Sequence, residues 1–142
     1  VSSKEKLKLG RTHIIISHGH KKILHENDIN LVISGHIHPA VQLYHSSLKA
    51  KSWVILDVEH CIDDMTRKIR WIIVPAFSST IEGIPINNYG DPFIMEAFPL
   101  KVAGKLKIKR KIFLLLDLTV IDEEVHDKSD NNEEVDCRRN AV

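Results

Sequence analysis

The sequence predicts an α/β domain in which strands outnumber helices. Three observations lead there. Two β-branched apolar runs, residues 13–17 and 29–34, flank a short stretch, 21–28, that can turn once or twice as a helix with Ile23 and Leu24 inward. Further apolar runs of strand length follow at 53–56, 69–74 and 106–118. Apolar residues make up 43% of the 142-residue chain, enough for one domain with a core of its own.

The first two runs form a βαβ unit. A compact crossover between them predicts parallel strands whose carboxyl ends lie side by side. Residues 1–10 are polar and lysine-rich and read as a frayed lead-in. Val41 and Leu43 begin a further strand region, joined to 53–56 by a loop carrying His45, Ser46 and Ser47. Residues 63–67 read as a turn, and Pro75 closes the strand at 69–74. Residues 77–92 are rich in Gly, Pro, Asn and Ser, which predicts a long loop, either functional or a plain connection. A short strand is expected at 94–98. The run 106–118 reads as a strand with an exposed, lysine-bearing start.

Charge divides the chain. Before Asp117 there are seventeen Lys/Arg against ten acids, and from Asp117 on there are three against nine. The basic body suits phosphate-bearing ligands, or is simply a solvated surface. The acidic end has too little apolar surface to fold and is expected to be disordered, so residues 1–116 form the domain and 117–142 a tail. No apolar run approaches the length of a membrane span. The two cysteines, Cys61 and Cys137, are far apart and without metal-type spacing; they make no disulfide framework, and a cytoplasmic, reducing location is expected. The chain opens on Val1, which suggests a piece of something longer.

Function concentrates in two stretches. The run 13–16 ends in Ser17-His18-Gly19-His20, and the run 31–33 ends in Ser34-Gly35-His36-Ile37-His38-Pro39-Ala40. In extended chain, residues i and i+2 share a side, so His36 and His38 would aim at one point. Imidazole is the commonest metal-ligating side chain. A lone His-x-His is equally compatible with surface or hydrogen-bonded histidines. Two adjacent strands each delivering a histidine at the same end favour a site. His45 and His60 read as ordinary surface residues.

Taken together, these two motifs resemble the last two metal motifs of the calcineurin-like metallophosphoesterases. The closest likeness is to a small archaeal branch related to the SbcD/Mre11 nucleases, where a stretch like Val74-Pro75-Ala76-Phe77-Ser78, with Gly83 and Asn87 downstream, follows. The resemblance covers roughly residues 10–115. It implies a four-layer αββα sandwich, two mixed sheets face to face with helices outside, of which this chain would be the carboxyl-terminal half. It also implies metal-dependent hydrolysis of phosphate mono- or diesters, nucleic acid included, at two divalent ions (Mn, Fe or Zn). His18 and His36 would ligate one ion and His38 the other, with His20 in support behind them; no residue is assigned as the proton donor.

The family's Asp-x-His, its bridging Gly-Asp and its Gly-Asn-His motif are missing upstream of His18. The one Gly-Asp, Gly90-Asp91, lies downstream and reads as a turn. Without a bridging carboxylate two close cations repel uncompensated. The expectation is therefore a truncated domain that holds at most one ion and hydrolyses esters weakly or not at all. A half-sandwich would also expose a sheet face, inviting self-association or the missing amino-terminal half. The alternatives are a non-catalytic module that binds a partner through that sheet, and a nucleic-acid-binding module; few aromatics and no basic stripe argue against the latter.

Overall fold

A computed structural model describes residues 4–19, 22, 28–43, 46–62, 64–100, 106–115 and 120–127. Strands dominate it: β1 (Lys4–Leu9), β2 (Thr12–Ser17), β3 (Leu31–Ser34), β4 (Pro39–Gln42), β5 (Lys49–Ile62), β6 (Met65–Ile73), β7 (Ile84–Pro85), β8 (Lys107–Leu114) and β9 (Val120–Asp127). A 3-10 turn (Ile86–Asn88) and one short helix, α1 (Asp91–Glu96), complete it. Among the described residues no helix is long and apolar enough to cross a membrane.

All nine strands join one mixed sheet in the order β1-β2-β3-β6-β5-β4-β7, with β8 beside β5 and β9 beside β8. β2, β3 and β6 run parallel, as the βαβ reading requires, with Ser17, Ser34 and Ile73 level at their carboxyl ends. The crossover expected as a helix at 21–28 falls almost wholly outside the described residues. β5 is the backbone of the sheet. Residues 49–51 pair with β4, while the longer remainder lies between β6 and β8.

One face of the sheet carries the core. Alternate residues of β5 (Ser52, Val54, Leu56, Val58 and His60) are buried, and the register continues that row through Ile15, Val32, Trp71 and Arg110. This is the two-residue period of a pleated strand with one face sealed. Ile86, Ile94, Phe98 and Leu100 close over it; the Trp71 and Phe98 rings lie 4.9 Å apart. The opposite face is apolar too. Ile16, Ile33, Ile72 and Ile55 form a continuous cross-strand row there, with Ile16 38% exposed and the rest half-buried. Arg70 and Asp57 form a two-pronged ion pair on the next row, and that hydrogen bond raises the guanidinium's pKa, with the carboxylate's charge acting in the same direction.

Several expectations are corrected here. Residues 4–9 are a strand, not a lead-in: β1 pairs antiparallel with β2 through a two-residue turn in which Gly10 takes φ +61°. That is the geometry a glycine supplies at the first position of a tight hairpin turn. Residues 65–67, expected in a turn, belong to β6, and Asp64, just before it, takes φ +60°. Pro39 opens β4, next to β7. Residues 94–98 are not a strand: Ile94, Met95 and Glu96 finish α1, entered through Pro92 in its first turn. Proline is pre-organised for that place, since its missing N–H has no partner there anyway.

Of the acidic end, expected to be disordered, Val120–Asp127 form β9 on the edge of β8. In the register Lys107 lies opposite Asp127, Arg110 opposite Glu124 and Lys111 opposite Glu123, so acidic positions of the sequence fall across from basic ones. His60 is fully buried and not a surface residue. Cys61 is not a free thiol but disulfide-bonded. The one other cysteine of the sequence, Cys137, lies outside the described residues.

Candidate functional site

The parallel strands deliver their loops to one edge of the sheet. β2 stops at Ser17 and β3 at Ser34, each followed by a tight turn. Gly19 takes φ +101° and its N–H donates to Ser17 Oγ at 3.2 Å. A Cβ on Gly19 would sit 3.3 Å from the His36 Cβ and 3.4 Å from that of Ser34, so the absence of a side chain lets the two turns close on one another.

Within the second turn the Ile37 N–H donates to the Gly35 carbonyl at 2.6 Å, folding the chain around His36. His36 has φ +39° and His38 φ +51°. Left-handed backbone is uncommon outside glycine and costs energy that the surroundings must offset. Ile37 is buried between them and anchors the turn, while the His38 carbonyl accepts from the Ile84 N–H at 2.9 Å. The alternation expected of an extended chain therefore does not apply, because the strand has ended at Ser34 and both histidines stand in a turn.

The structure brings His18 and His36 together. His36 Nδ1 and His18 Nε2 are 3.2 Å apart, the rings edge-on with centroids 5.1 Å apart. Both are exposed, and with no metal the contact is a hydrogen bond in which one ring donates and the other accepts. His38, half-buried, is not brought into a group with them. Among the described residues no cluster of three or more His, Cys, Asp or Glu side chains is arranged to hold an ion. His20 and His45 lie outside the described residues. Gly90-Asp91 precedes and opens α1, consistent with a structural turn.

Fitted to a metal, the pair supplies half a site. Two imidazole nitrogens about 2.0–2.1 Å from a common ion, at ordinary coordination angles, lie about 3.0–3.4 Å apart, and the observed separation falls inside that span. Among the described residues no carboxylate stands with them to bridge a second ion. The described residues thus fit a single, incompletely ligated ion and do not fit a dinuclear centre.

A cleft of about 280 Å³ opens beside this pair, lined by Gly19, His36, Ile37, Ile84, Phe93, Glu96 and Ala97. Its outer wall is one face of α1. Phe93, Glu96 and Ala97, at the three- and four-residue spacings of a helix, look into it, while Ile94 and Phe98 are buried in the core. Phe93 stacks on Tyr89, with centroids 4.3 Å apart and planes 21° from parallel. The sequence reading missed these residues by taking 94–98 as a strand. The Gly90-Asp91-Pro92 entry was the signal for a helix, and hence for this spacing.

Loop residues 74–83 leave the same edge from β6. Lys51 Nζ pins them, donating to the carbonyls of Ala76 (3.0 Å) and Ser78. The Val74 N–H donates to the Ser34 carbonyl at 2.8 Å, holding the loop's base against the histidine turn. Asn87 has a structural part: its side chain exchanges two hydrogen bonds with the Gln42 backbone, extending the β4 ladder.

No protein-family model matches the chain, and neither a curated protein nor a solved structure does.

Proposed function

We propose that this chain carries the histidine-bearing, carboxyl-terminal part of a metal-dependent phosphoesterase of the calcineurin-like kind, a four-layer αββα domain when complete. One observation carries the reading: His18 and His36, from the ends of adjacent parallel strands, meet with ring nitrogens 3.2 Å apart, His36 itself held in left-handed backbone. Ligand sites in parallel sheets favour that edge. A bound divalent ion (Mn, Fe or Zn) would polarise a phosphate ester and lower the pKa of water. This chain's own residues hold the ion through His18 and His36. By the resemblance His38, two residues beyond, would ligate the second ion. By the same resemblance the acidic ligands that a second ion needs belong to motifs missing upstream of His18, so the chain by itself is a weak or inactive hydrolase of mono- or diesters.

A second reading has its own support. The Ile16-Ile33-Ile72-Ile55 row belongs largely to parallel strands, and parallel sheets are normally covered on both faces. A module that binds a partner through this face, either a second copy or the sheet of an amino-terminal half, needs no chemistry at the histidines. Cytoplasmic placement belongs to the first reading, and the Cys61 disulfide weighs against it.

Titration with manganese and zinc, followed by hydrolysis of a generic aryl phosphate, separates the two. The phosphoesterase reading expects weak binding of one ion, lost in His18→Ala and in His36→Ala, with little turnover. Robust turnover would overturn the incompleteness of the site. No metal binding by the unaltered chain would leave the partner-binding reading in its place.

A further inference from the structure

The cleft beside His36 combines three features that the histidine pair does not explain. It has an aromatic wall, Phe93, braced in orientation by its stack on Tyr89. It has an aliphatic floor of Ile37, Ile84 and Ala97, and one carboxylate, Glu96, one turn of helix from Phe93. Its volume of about 280 Å³ falls just below the range of about 300–1,000 Å³ for drug-sized ligands, which suits a ring and excludes a long chain. A half-exposed phenylalanine held in a fixed stack presents a flat apolar surface to whatever enters. An ionised carboxylate only accepts hydrogen bonds, so it selects a group bearing N–H donors.

We propose that this cleft binds a nucleobase that carries an exocyclic amino group (adenine, cytosine or guanine), with the ring against Phe93 and the amino edge toward Glu96. Base stacking on an aromatic side chain tolerates any base, and carboxylate acceptance from an exocyclic amino group then adds preference. His36 is shared between the cleft and the histidine pair, so a base seated here directs its own sugar-phosphate to the proposed metal edge. The phosphate end of this inference rests on the proposed function; the base end does not.

Adenosine and cytidine, which lack phosphate, are titrated into the full chain in metal-free buffer by calorimetry and by saturation-transfer NMR, with uridine as control. Saturable binding of adenosine and cytidine, with saturation strongest on the base protons, is expected. Phe93→Ala should weaken it about tenfold or more. Ala97→Leu, which fills the cleft and leaves the stack in place, should do the same. Glu96→Gln should bring uridine level with cytidine. Far-ultraviolet circular dichroism confirms that each variant folds. No saturable nucleoside binding, or binding unmoved by both Phe93→Ala and Ala97→Leu, overturns the inference and leaves the metal reading standing. Nucleoside binding in a chain that holds no manganese keeps the cleft and removes the phosphoesterase.

Discussion

Trp71 Nε1 donates a 2.7 Å hydrogen bond to Ser34 Oγ, linking the largest fully buried side chain to the last residue of β3 before the histidine turn. The turn at Gly35-His36 thus starts from a position fixed in the core. Ser34→Ala removes the acceptor and strands a buried indole N–H, a loss of about 1–3 kcal/mol. Urea unfolding should show a lower midpoint at unchanged slope. An unchanged midpoint would mean that Ser34 does not anchor the turn.

Two glycines with similar backbone angles should respond very differently to alanine. Gly10 has φ +61° and open space where a Cβ would stand, so Gly10→Ala carries only the left-handed backbone cost, about 1–2 kcal/mol. Gly83 has φ +88°, and its Cβ would lie 2.3 Å from the His38 carbonyl oxygen. That oxygen already accepts from the Ile84 N–H, so it is not free to retreat. Gly83→Ala should exceed the Gly10→Ala cost by about 2 kcal/mol or more. Equal thermal shifts for the two variants would contradict the close approach of loop 74–83 to His38.

The strands nearest the histidines were the most legible part of the sequence. Continuous β-branched runs mark β2 and β3, and a short crossover requires them to be parallel. The pairing of His18 with His36 follows from that register. The placement of His38 did not follow, because strand alternation was extended past Ser34 into a turn. β1 was overlooked although its pattern was present: lysines at 4, 6 and 8 alternate with Glu5, Leu7 and Leu9 and run into Gly10-Arg11. Lysine content read as solvation masked a two-residue period ending in a hairpin turn. β9 was hidden in the same way, since its acids are tolerated opposite Lys107, Arg110 and Lys111 and composition alone does not know its neighbour. The cleft depended on long-range packing of α1, which no local pattern near the histidines reports.

The second apolar face gives a prediction about association. Ile16 is 38% exposed at the start of the Ile16-Ile33-Ile72-Ile55 row, so lysine there disturbs the shared face more than the core. Sedimentation velocity at micromolar concentrations should show the unaltered chain self-associating and Ile16→Lys shifting it toward monomer with its fold retained. A chain that stays monomeric before the substitution would show that this face does not pair with a second copy.

Cys61 lies on β5 beside the buried His60, and the structure has it in a disulfide although the spacing of the two cysteines predicts no disulfide framework. A disulfide restricts the unfolded chain and commonly contributes about 2–4 kcal/mol. Cys61→Ser, or a reductant added to the unaltered chain, should lower the urea midpoint by a matching amount. The two treatments should not add, since each removes the same bond. Intact mass measured without reductant should be about 2 Da below the reduced mass, the two hydrogens lost when a disulfide forms. Rapid alkylation of both cysteines in the native, unreduced chain would restore the reducing-compartment expectation in place of the bond.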